Sequence, residues 1–325
     1  MKITILTYVE REGSTAYDVV VGQVAAALRA RKHTPSVLGV HDDLGRMIAR
    51  LKRRKPELVF HLLEMFGKRM LGDVEIAGVL DLLDIPYTGG GPAELSLRCD
   101  KGLAKKALAF DQILYPDFAV FSRHELETGG NLRLPLFVKP LRADASIGIN
   151  GDSLVRDTTS LMKRVAAIHE KFNDSALAEE YIEGREFYVG VLGNRDPIAF
   201  PPIEMDFSGL PDGVPRVVGS KAKWAKNSVE YKGTRSVMAD VPDQLRARLQ
   251  QVSLDAYRAL RVRDYGRVDL RLTETGEIYV IEVNANCYLE QESEFAVAAA
   301  AAGLDYPTLI DRIAQLALER AKVRR

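Results

Sequence analysis

The chain has 325 residues, enough for two or three domains, each with a core of its own. Lys plus Arg and Asp plus Glu stand at 45 each, so a zero net charge offers no general attraction to nucleic acid or to an anionic membrane. The two cysteines, Cys99 and Cys287, lie far apart without metal-type spacing, which excludes a disulfide framework and a structural zinc site.

The opening run from Met1 to Thr7 reads as a strand that turns polar by Glu10, too short for a signal peptide. No stretch has the apolar length of a membrane span, so the expectation is a cytoplasmic protein with neither membrane nor nucleic acid as partner. From Lys2 to about Gly90, strands alternate with helices. Ile3 to Leu6, Ser36 to Val40 and Leu58 to Phe60 are strands, while Asp18 to Arg31, Asp42 to Arg53 and Asp73 to Leu83 are helices. That alternation predicts an α/β region with a parallel sheet and helices on both faces. Gly89-Gly90-Gly91 reads as a turn, because no Lys-Ser/Thr follows it and the first strand has no GxGxxG fingerprint.

Asp100 can cap a helix over Lys101 to Ala109, and Ala119 to Phe121 and Leu136 to Pro140 are short strands. The loop from Leu141 to Ile149 carries mostly small side chains, so its N–H groups could approach an anion. Thr158 to Phe172 is an amphipathic helix, and Ala176 to Ile182 and Phe187 to Leu192 are strands. The stretch from Pro201 to Arg235, with Lys221, Lys223, Trp224 and Lys226, is polar and irregular, as expected of a binding loop or lid. Helices follow over Val241 to Ala259, Phe295 to Gly303 and Tyr306 to Lys322.

Between them, Gly266 to Leu272 and Ile278 to Asn286 alternate in period two around Thr275-Gly276, the pattern of a β-hairpin. A four-residue loop, Glu274 to Glu277, sets Asp269 opposite Glu282 and Arg267 opposite Asn284 on one face. Val268, Leu270, Ile281 and Val283 take the other. Two carboxylates facing across a ladder repel unless a cation intervenes. Two readings stand for this face: an oxygen-liganded cation such as Mg2+ held by Asp269, Glu282 and Asn284, or carboxylates paired with Arg267 and Arg271. Cys287 follows this run, and a small buried residue is its expected role.

Six segments in collinear order resemble the ATP-grasp superfamily, and within it the D-alanine–D-alanine ligases. They are Ile85-Pro86-Tyr87-Thr88-Gly89, Cys99-Asp100-Lys101, Phe137-Val138-Lys139-Pro140 with Ser146-Ile147-Gly148, Glu179 to Glu186, Gly266-Arg267-Val268-Asp269, and Glu282-Val283-Asn284. The resemblance implies a three-part ATP-grasp fold, α/β at the amino terminus and α+β towards the end. Its parts are an N-terminal domain over 1–93, a central domain over 94–178, and a C-terminal domain over 179–325 with hairpin and lid. It implies that Lys101 and Lys139 contact the ATP phosphates and that the loop around Ser146 covers them. Glu179 and the backbone of Glu180 and Ile182 would read the adenine, and Glu186 would hold the ribose. Asp269, Glu282 and Asn284 would ligate two Mg2+ ions, with Mn2+ as a substitute. Arg267 would bind the reacting carboxylate, with Lys223 and Ser146 as further candidates for the chemistry. The substrates implied are small carboxylates and amines of the amino-acid kind, and a homodimer is the assembly suggested by analogy.

The departures fall at the substrate positions. Asp144-Ala145-Ser146 stands for the family's Gly-Ser-Ser, Trp224 for a tyrosine, and Met65-Phe66-Gly67-Lys68 for a His-Gly segment. Glu10 to Asp18 has no clean match to the family's Glu-Arg-Glu-Val-Ser. After Asn284, Cys287-Tyr288 replaces Pro-Gly and Ser293-Glu294 replaces a Ser-Leu pair. The expectation is an ATP-dependent carboxylate–amine ligase with altered substrate pockets. A genuine D-alanine–D-alanine ligase and a nucleotide-binding module without catalysis are the alternatives.

Overall fold

A computed structural model describes every residue except Met70, Gly130, Asn131, Asp144, Ala145, Asp212, Arg324 and Arg325, and leaves out the side chains of Leu126, Thr128 and Trp224. The contrasts drawn above at Asp144-Ala145 and at the Trp224 ring therefore lie outside the described residues. Among the described residues, no helix is long and apolar enough to cross a membrane.

The first sheet is parallel, in the order β2-β1-β3, from β1 (Lys2–Tyr8), β2 (Thr34–Val40) and β3 (Leu58–Leu62). Helix α1 (Val19–Ala30) begins where Asp18 accepts from Val20 N, and α2 (Leu44–Arg54) where Asp43 accepts from Arg46 N. Together with α3 (Gly72–Leu82) they cover both faces, as the alternation predicts. Ile5 and Phe60 pack with Val24 and Leu28 of α1, while Leu6 and Val59 pack with Met47 of α2 and Leu80 of α3.

The glycine turn leads straight into α4 (Pro92–Cys99), a helix absent from the sequence reading. Its start signals are nonetheless present, with Pro92 at the first helical position and Glu94 accepting from Gly91 N. Helix α5 (Lys101–Phe110) follows at once, capped by Asp100 as expected. The second sheet has the order β5-β4-β8-β6-β7 and is antiparallel throughout. Its strands are β4 (Phe118–Phe121), β5 (Leu126–Gly129), β6 (Leu136–Pro140), β7 (Leu154–Val155) and β8 (Ala176–Glu180). Helix α6 (Thr158–Phe172) lays Val165 and Ile168 on Leu136, Val138 and Ala178, a core separate from the larger ones.

The third sheet runs β12-β11-β9-β13-β14, with β10 also on β9. It comprises β9 (Arg185–Leu192), β10 (Ile198–Ala199), β11 (Ile203–Asp206), β12 (Arg235–Met238), β13 (Tyr265–Leu272) and β14 (Ile278–Ala285). The expected lid is thus partly ordered: β11 lies inside it, followed by α7 (Ser220–Trp224) and α8 (Val229–Gly233). Helix α9 (Asp243–Ala259) backs the hairpin. Helices α10 (Glu294–Ala301) and α11 (Tyr306–Val323) close the chain, and α11 returns to the first sheet, packing Leu309 and Ile313 into the core shared with α1.

The hairpin reaches the expected pairing by a different route. The strands leave the turn with Leu272 opposite Ile278, so the loop spans five residues, 273–277. A bulge next to Asp269 and Leu270 then restores Asp269 opposite Glu282 and Arg267 opposite Asn284. The extra residue reverses the parity beyond it. Val280 enters the core, and Ile281, assigned to the core face from the sequence, lines the cleft instead.

The turn at Gly89 also finds a physical role. Gly89 has φ +85°, and a Cβ there would stand 2.0 Å from Asn286 Oδ1. Its N–H donates to Asp264 Oδ2 at 2.8 Å and that of Gly90 to Asn286 Oδ1 at 2.8 Å. These N–H groups tie the turn to the residues flanking β13 and β14, which agrees with reading the glycines as a turn.

Candidate active site

A cleft lies between the second and third sheets, with Lys139 and Glu179 on one wall and Glu186, Asp269 and Glu282 on the other. Period-two alternation aims these side chains the same way within each strand. Ser146, Glu180, Ile182 and Lys223 line it too. Lys101, Arg267 and Asn284 stand just behind that lining, each bonded to a cleft residue.

On the wall from the second sheet, Glu179 is buried between two ammonium groups, Lys139 at 2.6 Å and Lys105 at 3.0 Å. Burial pushes its pKa up, but Lys105 and Lys139 outweigh burial and hold it below the usual carboxylate range. Lys105 did not stand out in the sequence, since its place on an amphipathic helix reads as a snorkelling surface lysine. Burial lowers its own pKa. Lys101 Nζ donates to Ala143 O at 2.8 Å and lies 3.2 Å from Glu282 Oε1. Burial raises the Glu282 pKa, but Lys101, Lys139 and Lys223 overcome that and bring it down to about 2.

Glu180 turns its side chain away, to Arg133 Nε at 3.0 Å, and its N–H donates to Asp117 O at 2.9 Å. Glu186 is paired with Arg271, which also donates to Arg216 O at 2.7 Å in the lid. Arg271 thereby joins Glu186 to the lid, a role that its i, i+2 spacing from Asp269 could not reveal. The lid lies across the cleft. Ser146, at φ +60°, donates to Val218 O at 3.0 Å, and Ser220 Oγ donates to Ile149 O at 3.1 Å.

The hairpin face carries the other half of the site. Asp269 accepts from Arg267 Nε at 2.7 Å, from Arg267 Nη2 at 2.9 Å and from Asn284 Nδ2 at 3.1 Å. Burial is the largest influence on Asp269 and, despite Arg267, pushes its pKa up to about 6. The Arg267 guanidinium also rests 4.4 Å from the Tyr188 ring centre, and the Tyr188 hydroxyl donates to Glu186 Oε1 at 2.8 Å. The arginine pairing weighed above and the cation reading thus concern the same carboxylate. A Mg2+ ion suits the donor set, two facing carboxylates and an amide oxygen. Glu282 Oε1 in addition is buried without an aligned hydrogen bond, despite its ion pair. Among the described residues, no three His, Cys, Asp or Glu side chains gather into a metal cluster, so a cation on this face would take the Asn284 amide as its third protein ligand.

Two results are expected from this geometry. Asp269 must be deprotonated to take a cation, so the apparent dissociation constant for Mg2+ is expected to rise about tenfold per pH unit below about 6 and to be flat above it. Calorimetric titration between pH 5 and 8 checks this, and a flat profile counts against Asp269 as a ligand. Tyr188→Leu removes the face under Arg267 and is expected to lower kcat roughly tenfold, the scale of a partly desolvated cation–π contact. Tyr188→Phe keeps the face, and its kcat should stay within about twofold of the parent.

A cleft between two antiparallel sheets, floored by lysines, covered by a small-residue loop and backed by a carboxylate hairpin, defines the ATP-grasp class of ligases. The family model for the D-ala D-ala ligase C-terminus matches residues 111–315. A D-alanine–D-alanine ligase of Desulfotalea psychrophila is 33% identical over 257 residues, 77% of this chain and 76% of its own length. One from Acidiphilium cryptum is 32% identical over 302 residues, 92% of each chain. A Sinorhizobium fredii protein named only as uncharacterized protein y4sG is 32% identical over 245 residues, covering 75% of this chain and 70% of its own. The ATP complex of Bacillus anthracis D-alanine–D-alanine ligase shares the fold at TM-score 0.76, with 24% identity and full coverage of both chains. The chain belongs to the D-alanine–D-alanine ligase family. It is an ATP-dependent, ADP-forming ligase.

Proposed function

We propose that this ligase joins a small carboxylate to an amine through an acyl phosphate, with a substrate pair other than two D-alanines. The carboxylate oxygen attacks the γ-phosphorus of ATP as the bond to the β-phosphate bridging oxygen breaks, and ADP leaves. The amine nitrogen then forms the C–N bond, the C–O bond to phosphate breaks, and phosphate and one proton depart. Neither step needs a protein nucleophile, only placement and neutralisation of charge. Lys101 and Lys139 suit the phosphates, Glu186 the ribose, and Glu179 with the Glu180 and Ile182 backbone the adenine. Ser146 and Lys223 fit the cover over the transferring group, and Arg267 fits the oxyanion. Asp269, Glu282 and Asn284 would hold Mg2+, in two ions with Mn2+ as a substitute, supplying charge neutralisation at the transferring phosphoryl group.

One observation carries the altered pair. The residue in place of the family's Leu is Glu294, and it sits 3.6 Å from Arg267. Of the other glutamates near the expected acceptor pocket, Glu290 accepts from Gln23 and Glu292 is exposed. Tyr288, in place of a glycine, donates to Asp18 Oδ1 at 2.7 Å. The curated relatives favour the rival reading, a genuine D-alanine–D-alanine ligase. ADP release across single and paired amino acids, other carboxylates and amines, with mass spectrometry of products, tests both. A pair other than two D-alanines is the expected requirement. Robust D-alanyl-D-alanine synthesis overturns it, and silence with intact ATP binding points first to a substrate outside the panel and second to a non-catalytic nucleotide-binding module.

A further inference from the structure

Arg267 is already enclosed by anions of its own chain. Asp269 takes two of its nitrogens, and Glu294 Oε2 lies 3.6 Å from the third, Nη1. Glu294 is held in place from a second side, since its Oε1 accepts from Ser236 Oγ at 2.9 Å. It occupies the first position of α10, where the helix terminus favours negative charge. Its carboxylate is therefore a fixed charge, anchored from β12 and β13 and half-buried beside the Arg267 guanidinium.

Resting on the ligase reading above, we propose that Glu294 is a specificity-determining residue selecting an acceptor amine that carries no carboxylate beside its reacting nitrogen. The amine has to reach the carbonyl carbon whose oxyanion Arg267 serves, so an amino-acid acceptor brings its own carboxylate, two bonds from the attacking nitrogen, towards Arg267 and Glu294. There it meets Glu294 at short range, in a setting where water screens like charges poorly. An amine or aminoacyl amide brings no such charge, and its ammonium is attracted to Glu294 before it loses a proton to attack. The leucine of the related ligases offers neither the repulsion nor the attraction. The residue thus works by excluding one acceptor class as much as by accepting another.

The test compares matched acceptors in the presence of Mg-ATP and a panel of carboxylate donors: alanine against alaninamide in both configurations, and ornithine against putrescine. In the parent enzyme the carboxylate-free member of each pair is expected to have a kcat/KM about tenfold higher or more. Glu294→Gln and Glu294→Leu should each shrink that ratio by about tenfold. A parent enzyme preferring the free amino acids overturns the proposal while leaving the ligase reading intact. So does an unchanged ratio in both variants, because a carboxylate that only orients Arg267 slows both members of a pair alike. Silence with every pair, with Mg-ATP binding seen by calorimetry, overturns the ligase reading and this assignment with it. The parent preference decides even where a variant fails to fold.

Discussion

Replacing Arg267 by Ala is expected to lower kcat by roughly 10²–10³, the cost of removing a principal donor to a developing oxyanion. The guanidinium is held on three sides, by Asp269, Glu294 and the Tyr188 face, so it needs little reorganisation when charge develops beside it. Removing it also leaves Asp269 facing Glu282 without its nearest cation, and the Asp269 carboxyl should become harder to ionise. KM for ATP should change little, because the residues proposed for the nucleotide lie on α5, β6, β8 and β9 and just after β8. Steady-state kinetics of ADP release decide the matter. A variant with undiminished kcat removes Arg267 from the chemistry, and a protein that only binds nucleotide has no rate to lose.

The second large effect is one of stability. Glu179→Gln leaves Lys105 and Lys139 buried without the carboxylate that they share, and is expected to destabilise the fold by about 3–5 kcal/mol. The shared carboxylate also sets a pH window. Its pKa is depressed in the folded state, so its stabilisation is complete above the ordinary carboxylate pKa and is lost as pH falls through the lowered value. Urea unfolding at pH 7 and at successively lower pH measures both. Adding Lys105→Met to Glu179→Gln should recover part of the loss, because one stranded ammonium is then gone. A loss below about 1 kcal/mol at pH 7 would mean that the lysines find other partners or deprotonate.

Much of this was legible in the chain. Helix α6 over Thr158–Phe172 and the Asp100 cap followed from period and side-chain chemistry, which act within a few residues. The helix α4 was missed because a glycine run followed by proline reads as a turn, although the same proline can open a helix. Arg267, Asp269, Glu282 and Asn284 could be placed on one hairpin face, because strand geometry alternates side chains whatever the rest of the protein does. Only the folded hairpin disclosed the bulge, which exchanges Ile281 and Val280 between cleft and core. An added residue costs the local pattern almost nothing, yet it reverses every side chain beyond it.

What the sequence determined by itself was the order of six motifs, the family they mark, and the faces of its regular elements. Tertiary structure decided who meets whom. Lys105 joins Glu179 from a distant helix, Arg271 ties Glu186 to the lid at Arg216, Glu294 comes to Arg267 from α10, and α11 returns to α1. Periodicity reports which way a side chain points from its own backbone. A charge is neutralised by whatever group packing brings within a few ångströms of it, and packing between distant segments leaves no mark in local sequence.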